Sequence, residues 1–290
     1  MIEPADSPYR VPFDGSFRVA DSPCEPLKSK IKSKDARHQI KRAMVGLRDC
    51  QRMLYAQNQR SLLLVFQAMD AAGKDSTIRA VMSGIDPAGC QAFFFKRPSE
   101  LELDHDFLWR TNRCLPERGR IGIFNRSYYE EVLVVRVHPE ILDNQRLPDR
   151  PPPEKLWAQR YESIRDHEKH LARNGTVILK FWLNVSKAEQ KRRFLSRIDA
   201  KRKNWKFEAG DIRERGYWEH YMQAYEHALN ETSRAHAPWY AIPANSKAYM
   251  RVQVANIVLA TLQNMDLAYP TLDQSALDAL HGYRDQLENE

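Results

Sequence analysis

The sequence predicts an α/β fold, a parallel sheet of five strands with helices on both faces, and three observations carry that prediction. Apolar runs of strand length at 62–66, 91–96, 120–124, 176–185 and 238–243 alternate with helix-compatible stretches, as in a parallel sheet wrapped on both sides. The first run leads straight into small residues, Gly73-Lys74 and a helical pattern. The second and third runs end in cations, Lys96-Arg97 and Arg126, on the sheet edge where open α/β proteins bind ligands.

Composition narrows the class. The chain has 290 residues, 29% charged and 42% hydrophobic, with a net charge of +7, which is ordinary for a globular protein. One large α/β domain with insertions and two small domains both fit this length. No apolar stretch reaches the roughly 18 residues that cross a bilayer, and the N-terminus lacks a signal-peptide pattern. A soluble cytoplasmic protein is expected. Cys24, Cys50, Cys90 and Cys114 form no C-x-x-C pair, so they read as reduced, mostly buried thiols and not as a zinc or disulfide framework. The positive charge points to an anionic partner.

Residues 1–26 hold five prolines and little periodicity, an extended arm and not a folded unit. Lys28, Lys30, Lys32 and Lys34 follow; they read as a solvated helix entrance, with an anion track as the alternative. A helix over 35–58 carries Ile40, Met44, Leu47, Met53 and Leu54 on one side. The run 62–66 fits a strand buried on both faces. The loop after it can bind phosphate, because consecutive N–H groups point inward, the next helix offers its positive end, and a lysine reaches the outer oxygens. It departs twice from G-x-x-x-x-G-K-[ST]: Ala68 replaces the first glycine and Asp75 the final hydroxyl residue. A plain strand-to-helix turn can also hold Gly-Lys; the strand before it and the amphipathic run 77–83 after it favour the phosphate loop.

That helix ends near Gly84, and 86–89 forms a turn. The stretch 91–96, with Phe93, Phe94 and Phe95, reads as a second buried strand; Lys96 and Arg97 beyond it read equally as a phosphate contact or as loop cations. One helix over 100–115 has Leu101, Phe107, Leu108 and Trp109 as its apolar side and carries Arg110 and Arg113. Gly119 opens a third strand that delivers residues 125–131 to the same sheet edge. A proline-rich loop at 147–153 precedes a long helix over 154–172 and the fourth strand. From Lys187 the chain turns cationic, a mobile loop is expected over 200–210, and a helix runs over 211–232. Tyr217, Trp218, Tyr221 and Tyr225 on that helix read as core. Loops of this kind close over phosphate sites as kinase lids. After the fifth strand, a helix over 247–265 buries Val252, Val254, Ile257, Val258 and Leu262, and the amphipathic tail 273–290 suits an intersubunit contact.

These parts assemble into a P-loop kinase-like three-layer sandwich with a helical lid. Phosphoryl transfer asks mainly for in-line positioning and for cations around the transferred group. Lys74 with Ala71, Ala72, Gly73, Asp75 and Ser76 holds one phosphate chain, and Arg126 holds the group on the other side. Lys96, Arg97, Arg113 and Asn125 are candidates for further phosphate or nucleotide contacts, with exposed loop cations still the equal alternative for Lys96 and Arg97, and lid cations would exclude water. A divalent metal needs oxygen ligands. Asp70 is the leading one, with Glu131 beside it and Glu130 as an alternative; a solvated helix face is the other reading of the two glutamates.

Met-Asp-Ala-Ala-Gly-Lys-Asp at 69–75, Gly-Ile-Phe-Asn-Arg-Ser-Tyr-Tyr-Glu at 122–130, Lys-Asn-Trp-Lys-Phe at 203–207, Arg-Gly-Tyr-Trp at 215–218 and His-Ala-Pro-Trp-Tyr at 236–240 together resemble the polyphosphate kinase 2 family. The likeness runs from about residue 34 to 265, and its form, with Asn125, resembles the subgroup acting on both AMP and ADP. It implies a thymidylate-kinase-like fold and Mg²⁺, or Mn²⁺ in its place. It implies inorganic polyphosphate, AMP, ADP and ATP as partners. It further implies Asp70, Lys74 and Arg126 as catalytic residues and a lid containing Lys203, Lys206, Arg213 and Arg215. The expected layout is an arm over 1–33, a kinase domain over 34–266 with its lid at about 197–216, and a helical tail over 267–290. A homo-oligomer is expected; a membrane or nucleic-acid partner is not. Two further readings stay open: an ATP-dependent nucleoside monophosphate kinase, and a basic module that binds nucleic acid without catalysis.

Overall fold

The computed structural model describes residues 2–26 and 33–290, apart from the side chains of Ser33, Lys203 and Lys206. Lys28, Lys30 and Lys32 of the lysine run lie outside the described residues. Five strands, β1 (Ser61–Gln67), β2 (Cys90–Phe94), β3 (Ile121–Asn125), β4 (Thr176–Asn184) and β5 (Trp239–Pro243), form one sheet in the order β2-β3-β1-β4-β5. Every neighbouring pair is parallel. All of β1 is buried, as a Leu-Leu-Leu-Val-Phe run with a strand on each side requires, and each such side chain contributes about 1.5–3 kcal/mol. Its register pairs Phe66 with Asn125, so the loop after β1 and the turn after β3 leave the sheet at one height.

The helices are α1 (Ser33–Gln57), α2 (Lys74–Met82), α3 (Glu100–Leu103), α4 (Trp109–Asn112), α5 (Val134–Val137), α6 (Pro153–Arg173), α7 (Lys187–Ile198), α8 (Ala209–Gly216), α9 (Trp218–Thr232), α10 (Lys247–Gln263) and α11 (Gln274–Glu288). α10 packs on β4, β5, α1 and α2, while α6 packs on β4 and α9. Sandwiched in this way, α10 buries Val252, Val254, Ile257, Val258 and Leu262. Among the described residues no helix is long and apolar enough to cross a membrane.

Several local expectations change. β2 is an edge strand and not a buried one: β3 is its single neighbour, and Phe94 is 58% exposed. The helix expected over 100–115 is two short ones. Ser99 and Glu102 close a capping box on α3, and the Asp106 carboxylate accepts the Leu108 N–H to form a turn instead. The helix expected over 211–232 breaks at Tyr217, after Gly216, and the Tyr217 ring packs edge-on against His138 at 4.7 Å. The stretch 200–210 holds a 3-10 turn, Lys201–Lys206, pinned by the Asn204 side chain donating to the Ile198 carbonyl at 2.6 Å. The N-terminal arm is extended but belongs to the fold. The Val11 N–H donates to the Trp239 carbonyl, the Ala241 N–H donates to the Tyr9 carbonyl, and Ala5, Tyr9 and Val11 are buried. It pairs backbone groups that the outer edge of β5 would otherwise leave open. All four cysteines are free thiols; Cys50 is buried and the other three are half-buried.

Candidate active site

Where β1 ends, the chain turns through Ala71 and Gly73, at φ +61° and +109°, and then opens α2. Gly73 tolerates that left-handed conformation because it has no Cβ. Its carbonyl accepts from the Thr77 N–H, the Thr77 hydroxyl and the Ser76 hydroxyl, each at 3.0 Å, which starts the helix. The first N–H groups of α2 have no partner within the helix and carry its positive end into the cleft. Lys74 is buried, and its ammonium donates to the Ala68 carbonyl at 2.6 Å, strapping the loop shut. Burial, then the Arg126 charge, pull its pKa down, against Asp70, Glu130 and Asp75. Asp75 accepts from the Asn125 amide at 2.8 Å and so ties α2 to β3.

Arg126 follows β3 with φ +63°, a conformation costing about 1 kcal/mol for a non-glycine residue. Its N–H still donates to the Phe66 carbonyl, so the strained residue is held by the sheet. The guanidinium lies 3.0 Å from Asp70 and 3.9 Å from Glu130. Glu130 and Asp70 hold the arginine proton more tightly than usual, against its burial. Burial raises the Glu130 pKa, while Arg126 and Lys74 oppose the rise. Lys74, Arg126 and the Asp70 carboxylate thus meet at a cleft of about 890 Å³, while Glu130, against Arg126, lies outside its lining.

Asp70, Ala71, Ala72, Gly73, Lys74, Asp75, Ser76, Lys96, Arg97, Asn125 and Arg126 all line that cleft. Four expected residues do not. Glu131 is turned away: its buried carboxylate meets Arg160 at 2.8 Å and Gln145 at 2.6 Å, which corrects its assignment as a metal ligand. Arg113, at the end of α4, stacks over the Trp109 ring at 4.7 Å. Arg215 donates to the Lys187 carbonyl and the Gln190 amide oxygen, fastening α8 to the start of α7. Arg213 is exposed on α8 outside the lining. The side chains of Lys203 and Lys206 lie outside the described part of the molecule.

Other cations take their place: Arg79 from α2, Arg192, Arg193 and Arg197 from α7, and Lys247 at the start of α10. Arg193 is 5% exposed and donates to the carbonyls of Ala71, Ala72, Ala244 and Asn245, clamping the loop after β1 to the turn after β5. Gln190 adds a bond to the Asp70 carbonyl at 3.0 Å. The signal was in the sequence: Arg193 and Arg197 stand four apart, on one helix face. Among the described residues no group of three or more His, Cys, Asp or Glu side chains converges as a metal cage.

Residues 30–270 match the family model described as polyphosphate kinase 2. An ADP-polyphosphate phosphotransferase of Rhodopseudomonas palustris is 54% identical over 257 residues, covering 88% of this chain and 89% of that protein. An AMP/ADP-polyphosphate phosphotransferase of Meiothermus ruber is 45% identical over 77% of this chain and 80% of its own length. The crystal structure of polyphosphate kinase 2 from Arthrobacter aurescens superposes with a TM-score of 0.86 at 37% identity, over 97% of this chain and 99% of that one. With loop, sheet and overall length matched together, the chain belongs to the polyphosphate kinase 2 family.

Proposed function

We propose that this protein is a polyphosphate-dependent nucleotide kinase, reversibly transferring the terminal phosphoryl group of inorganic polyphosphate to ADP and AMP. The observation that carries the reading is the two-sided cleft, with buried Lys74 on one wall and Arg126, paired to Asp70 at 3.0 Å, on the other. The names of the two curated relatives support polyphosphate as donor. They differ on the acceptor, and we take both nucleotides as substrates.

In this reading Lys74 leaves the Ala68 carbonyl for a phosphate oxygen, and the N–H groups at the start of α2 hold the same chain. Arg126 holds the transferred group from the opposite side. A terminal phosphate of AMP or ADP is already anionic near neutral pH, so no residue has to remove a proton from it. Catalysis is then positioning and charge stabilisation. Asp70, about one-third exposed in the cleft, supplies a carboxylate for Mg²⁺ or Mn²⁺; Mg²⁺ commonly takes one or two carboxylates and completes its shell with phosphate oxygens and water. That ion, when bound, neutralises charge on the phosphate groups. The segment 197–216 closes over the cleft and excludes water. Since the acceptors are cytosolic nucleotides, we place the enzyme in the cytoplasm.

The test supplies polyphosphate, Mg²⁺ and either AMP or ADP, and follows formation of ADP or ATP. No product from folded protein would overturn the proposal, and product with ATP as the sole working donor would make it a conventional nucleoside monophosphate kinase. We also propose a homo-oligomer that buries Leu277, Leu280, Tyr283 and Leu287, which stand exposed on α11; a monomer mass by light scattering would remove that part.

A further inference from the structure

The expected layout set residues 1–33 apart as an arm, but the end of that arm reaches the sheet edge that carries the cleft. On the way it is fastened to α9: the Phe17 backbone exchanges two hydrogen bonds with the Asn230 side chain, and the Val19 N–H donates to Glu226 at 2.8 Å. Asn184, the buried last residue of β4, donates to the Ser22 carbonyl at 3.0 Å and accepts from the Cys24 thiol at 3.4 Å. Asn245, in the turn after β5, joins more parts. Its N–H donates to the Cys24 carbonyl at 3.0 Å, while its side chain donates to Glu25 and accepts from the Ser186 N–H, each at 2.9 Å. Ser186 in turn caps α7, its hydroxyl accepting from the Glu189 N–H. The Asn245 carbonyl accepts from Arg193 of α7 at 3.1 Å, through the same nitrogen that donates to the Ala244 carbonyl. The other terminal nitrogen of that guanidinium donates to the Ala71 and Ala72 carbonyls at 3.0 and 2.6 Å.

A guanidinium is a rigid plane, so holding one nitrogen against the turn after β5 sets where the other meets the loop after β1. That loop needs holding: Ala71 has φ +61°, a conformation that persists in a non-glycine residue only where its surroundings determine it. We propose that Asn245 is a positioning residue for the phosphoryl transfer. It joins the end of the arm, the start of α7 and the turn after β5 into one brace. Through Arg193 that brace keeps the loop in the shape that presents Lys74 and the first N–H groups of α2 to the cleft. This rests on the cleft being where phosphate is transferred.

The test compares the full chain with Asn245→Ala and Asn245→Asp, each also in an Arg193→Met background. With polyphosphate, Mg²⁺ and ADP, Asn245→Ala is expected to lower kcat about tenfold while KM for ADP stays within about twofold. Asn245→Asp, which keeps the acceptor for the Ser186 N–H, should recover most of that loss. In the Arg193→Met background, removing the Asn245 side chain should cost less than about twofold more, because the path to the loop is already cut. A kcat that holds while the urea midpoint falls makes Asn245 a stability residue and overturns the proposal, as does an equal loss in both backgrounds. Hydrogen exchange at the amides of residues 70–76 reads the brace without substrate, and about tenfold faster exchange is expected in Asn245→Ala. Unchanged exchange decides against the brace even if the wild type transfers no phosphate, the separate outcome that fails the kinase reading.

Discussion

Two lysines of this protein are buried beside carboxylates, and they live in opposite surroundings. Lys74 sits at the mouth of α2, bonded to one backbone carbonyl and open to a cation-lined cleft. Lys180, in the middle of β4, is 0% exposed and saturated. It donates to Glu168 at 2.6 Å and to the Tyr129 hydroxyl and the Thr232 carbonyl at 2.8 Å each. Glu168 in turn accepts from the Tyr128 and Tyr129 hydroxyls, so every charge in the group is matched from within. The difference teaches what makes a buried cation available for chemistry. Burial lowers the pKa of both, but only the lysine whose partner a ligand can replace has something to offer a substrate. The two regions are also joined through the chain, since Tyr128 and Tyr129 follow Arg126 closely and anchor the segment that carries it.

The sharpest way to break the comparison is to empty each site. Lys74→Ala and Arg126→Ala should each lower kcat/KM for phosphoryl transfer by at least about 10²-fold to 10³-fold while the thermal midpoint hardly moves; near-normal rates in either would misplace the reacting centre. Lys180→Ala should do the reverse. Leaving Glu168 buried and unpaired costs about 3–5 kcal/mol, read as a lower urea midpoint, while replacing both partners by apolar residues costs much less. A fully stable Lys180→Ala protein would mean that the network is not closed.

A smaller effect of Lys180 is read through pH. Burial draws the Lys180 pKa from 10.5 to about 8. Between those values the unfolded chain keeps a proton that the folded chain has released, so this group makes stability rise with pH across that window and contributes no slope below it. Lys180→Met should lack the rise, and the same pH slope in both proteins would contradict the assignment. The smallest expected effects belong to Arg113→Ala and Arg213→Ala, exposed residues outside the cleft, which should leave kcat/KM within about twofold. A tenfold loss in either would return it to the site.

How much was legible beforehand follows from the range of the signal. The strand-loop-helix around Lys74 is local: a buried apolar run, a glycine that accepts φ +109° and a lysine within a few residues of one another. Arg126 was legible because it ends a strand that pairs in register with β1. Arg193 was not singled out, because its four carbonyl partners come from two turns far from it in the chain. Glu131 and Arg215 were misread because a charge in a cationic or acidic run carries no record of its direction, and here each points into a packed contact.

By itself, then, the sequence determined the five parallel strands, the long helices α1, α6 and α10, the Gly-Lys turn after β1 and the family, since each depends on residues close together in the chain or on motifs in order. Only the tertiary structure decided which cations face the cleft, that β2 takes the sheet edge, and that Lys180 and Glu168 seal each other off. Helix breaks at 104–108 and at Tyr217 reset the direction of everything beyond them. A side chain's availability depends on partners that folding brings from distant parts of the chain.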